Sequence, residues 1–254
     1  MAVDTYWEKM LSSSFWKEMN DIYTMMPAVV VSVIDDFKEQ RINVQPSLNK
    51  LFQGGDSSPR PTILNVPVIM PATSTSAITM PIDAGDTVWL MFSMRAMEMF
   101  MEGDGRPSTP NNHAKYDQKD CVALIGLFPR KNAINNPNKR THPHNTKDLV
   151  VAHNIGEPSE VEIRLKSDGK VIINCHNAEV NAQDSVSIKT PELNIDATTT
   201  NWTGNIVHTG NTTQTGSITA SGDVSSGGVS VISHEHKVIG VQTGGATITS
   251  EAPN

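Results

Sequence analysis

The spacing of hydrophobic positions changes three times along the chain. From residue 1 to 26, Trp7, Met10, Leu11, Phe15, Met19, Ile22 and Tyr23 recur three or four residues apart, which predicts an amphipathic helix. Five aromatics (Tyr6, Trp7, Phe15, Trp16 and Tyr23) fall in it, so its stripe either packs on its own domain or docks on a partner. The period then drops to that of strands. Residues 28–34 are an apolar β-branched run, Asp35, Asp36, Phe37 and Lys38 supply turn chemistry, and 41–45 alternate apolar and polar. Further strands are predicted at 62–70, 87–96 and 121–128, between loops rich in Gly and Pro. About five strands in roughly a hundred residues fit an OB-like barrel.

A polar segment at 129–148 follows, punctuated by Pro129, Pro137 and Pro143 and made locally basic by Arg130, Lys131, Lys139, Arg140 and Lys147. Val161, Ile163 and Leu165, then Val171 and Ile173, alternate on either side of Ser167, Asp168, Gly169 and Lys170. Asp-Gly between alternating runs is a strong hairpin signal. Short strands are predicted at 179–182, 185–189 and 193–196. Then a strict hexad begins. Gly204, Gly210, Gly216, Gly222 and Gly228 lie six residues apart, and two positions after them come Ile206, Thr212, Ile218, Val224 and Ser230. Five hits at one period indicate stacked β-turns in a helical or fibrous β-structure.

Composition decides how such a repeat is filled. All 12 methionines lie at or before Met101, and only one aromatic, Trp202, lies after Phe128. Of the 57 residues from 177 to 233, 30 are Ser, Thr, Asn or Gly. One small β-branched side chain per hexad leaves a single-chain solenoid underfilled. Three intertwined chains put three such side chains in each layer and pair every strand edge. The Met-rich run 91–101 reads as filler of barrel and interface volume rather than as a soft-metal surface.

The candidate chemistry is at the C-terminus. His234 and His236 flank Glu235, and in an extended strand they project to one side. Two imidazoles make an incomplete site, but three chains on a threefold axis supply six, as two stacked triangles. All-imidazole octahedral ligation suits Fe, Ni or Co better than Mg or Ca. With no position left open for substrate, such a metal is structural. Proline between His142 and His144, in a polar loop, argues against a preorganised site there.

An OB-like domain, a linker, a Thr/Gly-rich repeat and a terminal His234-Glu235-His236, with Gly240-Val241 and Gly244-Gly245 behind it, resemble the central spike proteins of contractile-tailed bacteriophages. These are membrane-piercing baseplate spikes, relatives of the spike parts of type VI secretion. The resemblance covers roughly residues 27–254. It implies a homotrimer whose OB domains attach to the baseplate hub and whose apex holds one iron ion on six histidines, here His234 and His236 of each chain. It also implies a virion protein at the tail tip, assembled in the host cytoplasm, that pierces the host outer membrane when the sheath contracts. The fold class expected is all-β: an N-terminal OB-fold barrel followed by an intertwined homotrimeric β-helix with a pointed, metal-bound tip. Its expected parts are an N-terminal amphipathic segment (1–26), an OB-like domain (27–130), a linker or collar (131–158), a triple-stranded β-helix (159–232) and the metal-binding apex (233–254).

Two other classes compete. A hexapeptide-repeat acyltransferase would be a trimeric enzyme with His208 as its candidate base, but it needs many more hexads. A trimeric receptor-binding fibre or adhesin would end in a recognition domain with aromatic anchors, and none follows His236. No nucleophile elbow, phosphate loop or zinc-protease helix occurs, so no enzyme is expected. A formal charge of −7, from 27 acidic and 20 basic residues, argues against a nucleic-acid partner. The longest apolar stretch, 27–34, is too short to cross a membrane, and the N-terminus lacks a secretory pattern. Cys121 and Cys175 have no metal-ligand spacing and form no disulfide framework.

Overall fold

The computed structural model describes residues 2–20, 22–52 and 54–234. The chain divides into two compact units, Met1–Asn181 and Ala182–Asn254. The first opens with the predicted helix, α1 (Ala2–Asn20). It continues through β1 (Met25–Val33), β2 (Arg41–Pro46), the two-residue strands β3 (Lys50–Leu51) and β4 (Ser57–Ser58), β5 (Ile63–Ile69), β6 (Thr87–Phe92), the one-turn helix α2 (Glu98–Met101) and β7 (Cys121–Ile125). The five longer strands close a barrel in the order β1-β2-β5-β7-β6, with β6 pairing back onto β1. Every pairing is antiparallel except that of β5 with β7.

The barrel closes because period-two alternation puts one apolar set inside. Ile42 and Val44 of β2, Val88 and Leu90 of β6, and Ala28 and Val30 of β1 are all buried. With Cys121, Ala123, Phe92 and Met70 they form one core that runs from Met26 to Ala123. Two strands are shorter than the pattern predicts. After Phe92 the chain turns, with Ser93 N–H donating to the Asp120 carbonyl and Met97 N–H to Asp120 Oδ1 at 2.9 Å. β7 stops before Gly126, whose φ of +99° breaks the extended backbone. Nor is the Met-rich run wholly filler: Met94 and Met99 are exposed.

A second sheet in this unit has the order β10-β9-β8, from β8 (Leu149–His153), β9 (Val161–Leu165) and β10 (Val171–Asn174). β9 and β10 are the predicted hairpin, with Val171 opposite Leu165 and Ile173 opposite Ile163. Gly169 takes φ +86° in the turn, and Asp168 Oδ1 accepts the Lys170 N–H at 3.1 Å. β8 lies in the segment the pattern assigns to the collar. Its Leu-Val-Val-Ala run is too short and unbroken to signal alternation, yet it pairs antiparallel with the whole of β9.

In the second unit, a small hairpin of β11 (Ser225–Ser226) and β12 (Val229–Ser230) turns through Gly227 and Gly228. Before it, from residue 182, the described chain has neither helix nor ladder. It bends at Gly204, Gly210, Gly216 and Gly222, the first four glycines of the hexad. Gly204, Gly210 and Gly216 have φ of +114°, +131° and +114°, values that side chains with a Cβ rarely adopt. Among the described residues, 177–223 make no backbone–backbone hydrogen bond. The segments predicted as strands at 179–182, 185–189 and 193–196 therefore have no ladder partner among the described residues.

Candidate functional site

The sheet β8–β10 has its polarity reversed. One face carries Leu149 and Val151, Ile163 and Leu165, and Val171 and Ile173, aligned across the strands in the rows Leu149–Leu165–Val171 and Val151–Ile163–Ile173. All six are 44–66 % exposed. The other face carries the rows Val150–Arg164–Ile172 and Ala152–Glu162–Asn174 and is half-buried or buried throughout. Glu162 and Arg164 are buried and form an ion pair, and Arg164 Nη2 donates to the His142 carbonyl at 3.0 Å. An antiparallel sheet normally turns its apolar face to the core and its polar face to water.

The cover is a strap formed by residues 135–144. Glu160, 1 % exposed, fastens it: Oε2 accepts the Thr141 N–H at 2.9 Å and the Gly156 N–H at 2.6 Å. Burial alone would raise the Glu160 carboxyl pKa. The N–H groups of Gly156, Thr141 and His142 and the charge of Arg140 outweigh it, holding the group below its ordinary value. Thr141 Oγ1 also donates to the Glu157 carbonyl at 2.9 Å. His144 is buried, with its Nε2 3.0 Å from Asn135 Oδ1. Both histidines of the 142–144 triplet thus lie in the strap, where His142 lends its carbonyl to Arg164.

In the second unit the aliphatic residues before and within the hexad are exposed: Val186, Ile188, Leu193, Ile195, Ile206 and Ile218 range from 59 to 74 %. Backbone groups and aliphatic side chains are thus both open along this segment. His208, on the same stretch, is exposed with Nδ1 3.4 Å from Thr212 Oγ1.

His234 follows the turn after β12. Its Nδ1 lies 3.0 Å from the Ser230 carbonyl and 3.2 Å from the Val231 carbonyl. Carbonyls only accept, so Nδ1 carries the proton and the lone pair of the neutral ring is on Nε2. A carbonyl held against the far ring nitrogen in this way is compatible with a ligand role for His234, since it fixes the ring and its tautomer. Its expected companion, His236, lies outside the described residues, as does the sequence after it. Among the described residues of one chain, no three His, Cys, Asp or Glu side chains converge as a metal site.

Elsewhere, Trp7, Met10, Leu11, Phe15 and Met19 are exposed on α1. The chain after the helix is tied to the barrel by Tyr23, whose N–H donates to the Tyr116 carbonyl at 3.3 Å and whose ring packs on Phe92. Cys121 is buried in the barrel, and its thiol pKa is pushed up to about 12 by burial and the neighbouring Asp120. Cys175 is exposed at the end of β10. No helix among the described residues is long and apolar enough to cross a membrane.

A closed five-stranded barrel with a core of its own, followed by a smaller sheet and a glycine-punctuated segment, makes this a modular, mostly β chain. Residues 26–126 match the family model of the phage protein Gp138 N-terminal domain. The matched span coincides with the closed barrel and its core, from Met26 to Ala123. The match supports a phage structural protein and a place in the virion. No curated protein matches the chain.

Proposed function

We propose that this protein is the central spike of a contractile phage tail baseplate, and that it pierces the host outer membrane on sheath contraction. The observation that carries this reading is the repeat behind the phage barrel. Its glycine bends recur every six residues, and its intervening segments leave backbone groups unpaired and aliphatic groups exposed among the described residues. Three chains wound about one axis supply those partners. Each layer then gains three β-branched side chains and each strand edge a neighbour. Such a rod is hard to open locally, because every strand is held by other chains.

The barrel is the part that would seat on the baseplate hub, since it folds on a core of its own. At the other end, His234 and His236 of three chains would hold one iron ion, binding the chain ends where force concentrates. The ion would supply a cross-link and no reaction, since six imidazoles leave no open position. The proposed location is the tail tip of the virion. Neither an enzymatic activity nor a nucleic-acid partner belongs to this reading.

The test is native mass spectrometry of tag-free protein with elemental analysis of the same sample. The expected result is a trimer with one iron shared by three chains, reduced to background by His234→Ala. A monomer, or one metal in every chain, would overturn the reading. Antibody labelling of virions should decorate the tail tip. Decoration along lateral fibres would favour the receptor-binding alternative.

A further inference from the structure

We propose that the exposed apolar face of β8–β10 is the start of the seam between copies of this chain. Three such sheets turn their Leu149–Leu165–Val171 and Val151–Ile163–Ile173 rows inward around a threefold axis, and their strap-covered faces outward. This rests on the homotrimeric reading above and adds which surface closes the trimer and which stays outside.

The inverted sheet is the starting observation. A sheet in a self-sufficient domain would bury its aliphatic face and expose its charged one. Here the chain does the reverse. It uses residues 135–144, with Glu160, Thr141 and His142 as fasteners, to cover the Glu162–Arg164 ion pair. The six aliphatic side chains stay 44–66 % exposed.

Size and continuity name the occupant. Six aliphatic side chains at about half exposure leave on the order of 500 Å² of contiguous apolar surface, at the upper limit for a soluble monomer. A stable interface needs roughly 800 Å² from each partner, so the patch alone falls short. Further along the sequence, however, and ahead of the hexad, Val186, Ile188, Leu193 and Ile195 continue the supply of open aliphatic groups. An occupant must therefore offer aliphatic surface at the sheet and strand edges along the repeat, in that order. A copy of the same chain offers both. Around a cyclic axis, residues at one height meet their own counterparts, so a face that is aliphatic throughout complements itself with no unpaired charge.

The test introduces one thiol into the full chain in a Cys175→Ser background, where the remaining Cys121 is buried. Ile163→Cys probes the centre of the face, and Lys38→Cys, in the exposed β1–β2 turn, is the control. In the assembled protein, the thiol from Ile163→Cys should react with maleimide about two orders of magnitude more slowly than the control, as at a site exposed only by rare opening. It should also form interchain disulfides on oxidation. Ile163→Asp should yield monomers that keep the barrel, read by native mass and by amide exchange protection at Val44 and Leu90 in the barrel core. A trimer in which the Ile163→Cys thiol labels as fast as the control, or in which Ile163→Asp leaves assembly intact, overturns the seam but not the spike. A monomeric unmodified protein overturns both, and is seen before any thiol is measured.

Discussion

Replacing Glu160 with alanine should detach the strap while leaving the barrel folded. Glu160 is 1 % exposed, and its Oε2 accepts the N–H groups of Thr141 at 2.9 Å and Gly156 at 2.6 Å. Removing the carboxylate takes a charged acceptor from two part-buried backbone donors, each at a cost of about 1.5–2.5 kcal/mol. The Thr141 and Gly156 sites together should therefore lose about 3–5 kcal/mol of local stability. A tenfold change in an opening equilibrium corresponds to about 1.4 kcal/mol, so amide protection at these residues should fall by roughly two to three orders of magnitude. Glu160→Gln keeps one acceptor oxygen and should give a smaller loss, about 1–2 kcal/mol. The assay is hydrogen exchange on full-length protein, read at Thr141 and Gly156 and, as internal reference, at Val44 and Leu90 in the barrel. Unchanged protection at Thr141 and Gly156 in Glu160→Ala would refute the reasoning. So would an equal loss at Leu90, which would make the cluster a determinant of global stability.

Three further outcomes are expected. Glu160 titrates below its ordinary value of 4.5 in the folded chain. Its contribution is thus complete above pH 4.5 and lost as pH falls through the folded pKa, so strap protection should be flat from neutrality to about pH 5, fall below it in the parent and lose that acid step in Glu160→Gln. Gly156→Ala places a Cβ 2.6 Å from the Lys139 carbonyl oxygen at a φ of +82°. It should loosen the strap by about 2–4 kcal/mol, as backbone strain and displacement combine. An unchanged exchange pattern would show that the contact between Gly156 and the strap is dispensable. With its thiol pKa pushed up to about 12, Cys121 should resist alkylation at pH 8 until the barrel is unfolded by denaturant, at which point it should react as Cys175 does in the same denatured chain. Native-state labelling of Cys121 would contradict the closed barrel.

The Glu162–Arg164 ion pair is a weak source of stability, because removing two charges from water costs about as much as their attraction returns. Around it, Arg140 Nε and Nη1 and Arg164 Nε are buried without a protein hydrogen-bond partner among the described residues. Such a cluster contributes register rather than net stability. It holds residues 135–144 on one face of β9 and so determines which face of the sheet is open.

Much of the barrel was legible in the sequence. The alternation of Ile42 with Val44, and the apolar runs around Val30, Val66, Leu90 and Ala123, carry the period of strands with one buried face. The hairpin at 161–173 was equally clear, since Asp168 and Gly169 are what its turn demands. The hexad glycines were visible too, because left-handed bends at Gly204, Gly210 and Gly216 exclude most other residues. His234 could be nominated from spacing, but the carbonyls of Ser230 and Val231 that set its tautomer are products of the fold.

What the sequence could not convey is which surfaces are open. Periodicity says that Ile163 and Leu165 share a face with each other and that Glu162 and Arg164 share the opposite one; it assigns neither face to solvent. That assignment comes from a contact between segments far apart along the chain, when Thr141 and His142 meet Glu160 and Arg164 across about twenty intervening residues. β8 joins the sheet for the same reason: its apolar run becomes a strand only beside β9. Local pattern thus determined the barrel strands, the 161–173 hairpin and the glycine spacing of the repeat, but not β8 or the conformation of 179–196. Tertiary structure decided which face of the second sheet is buried, because burial depends on the energies of contacts that no local window contains.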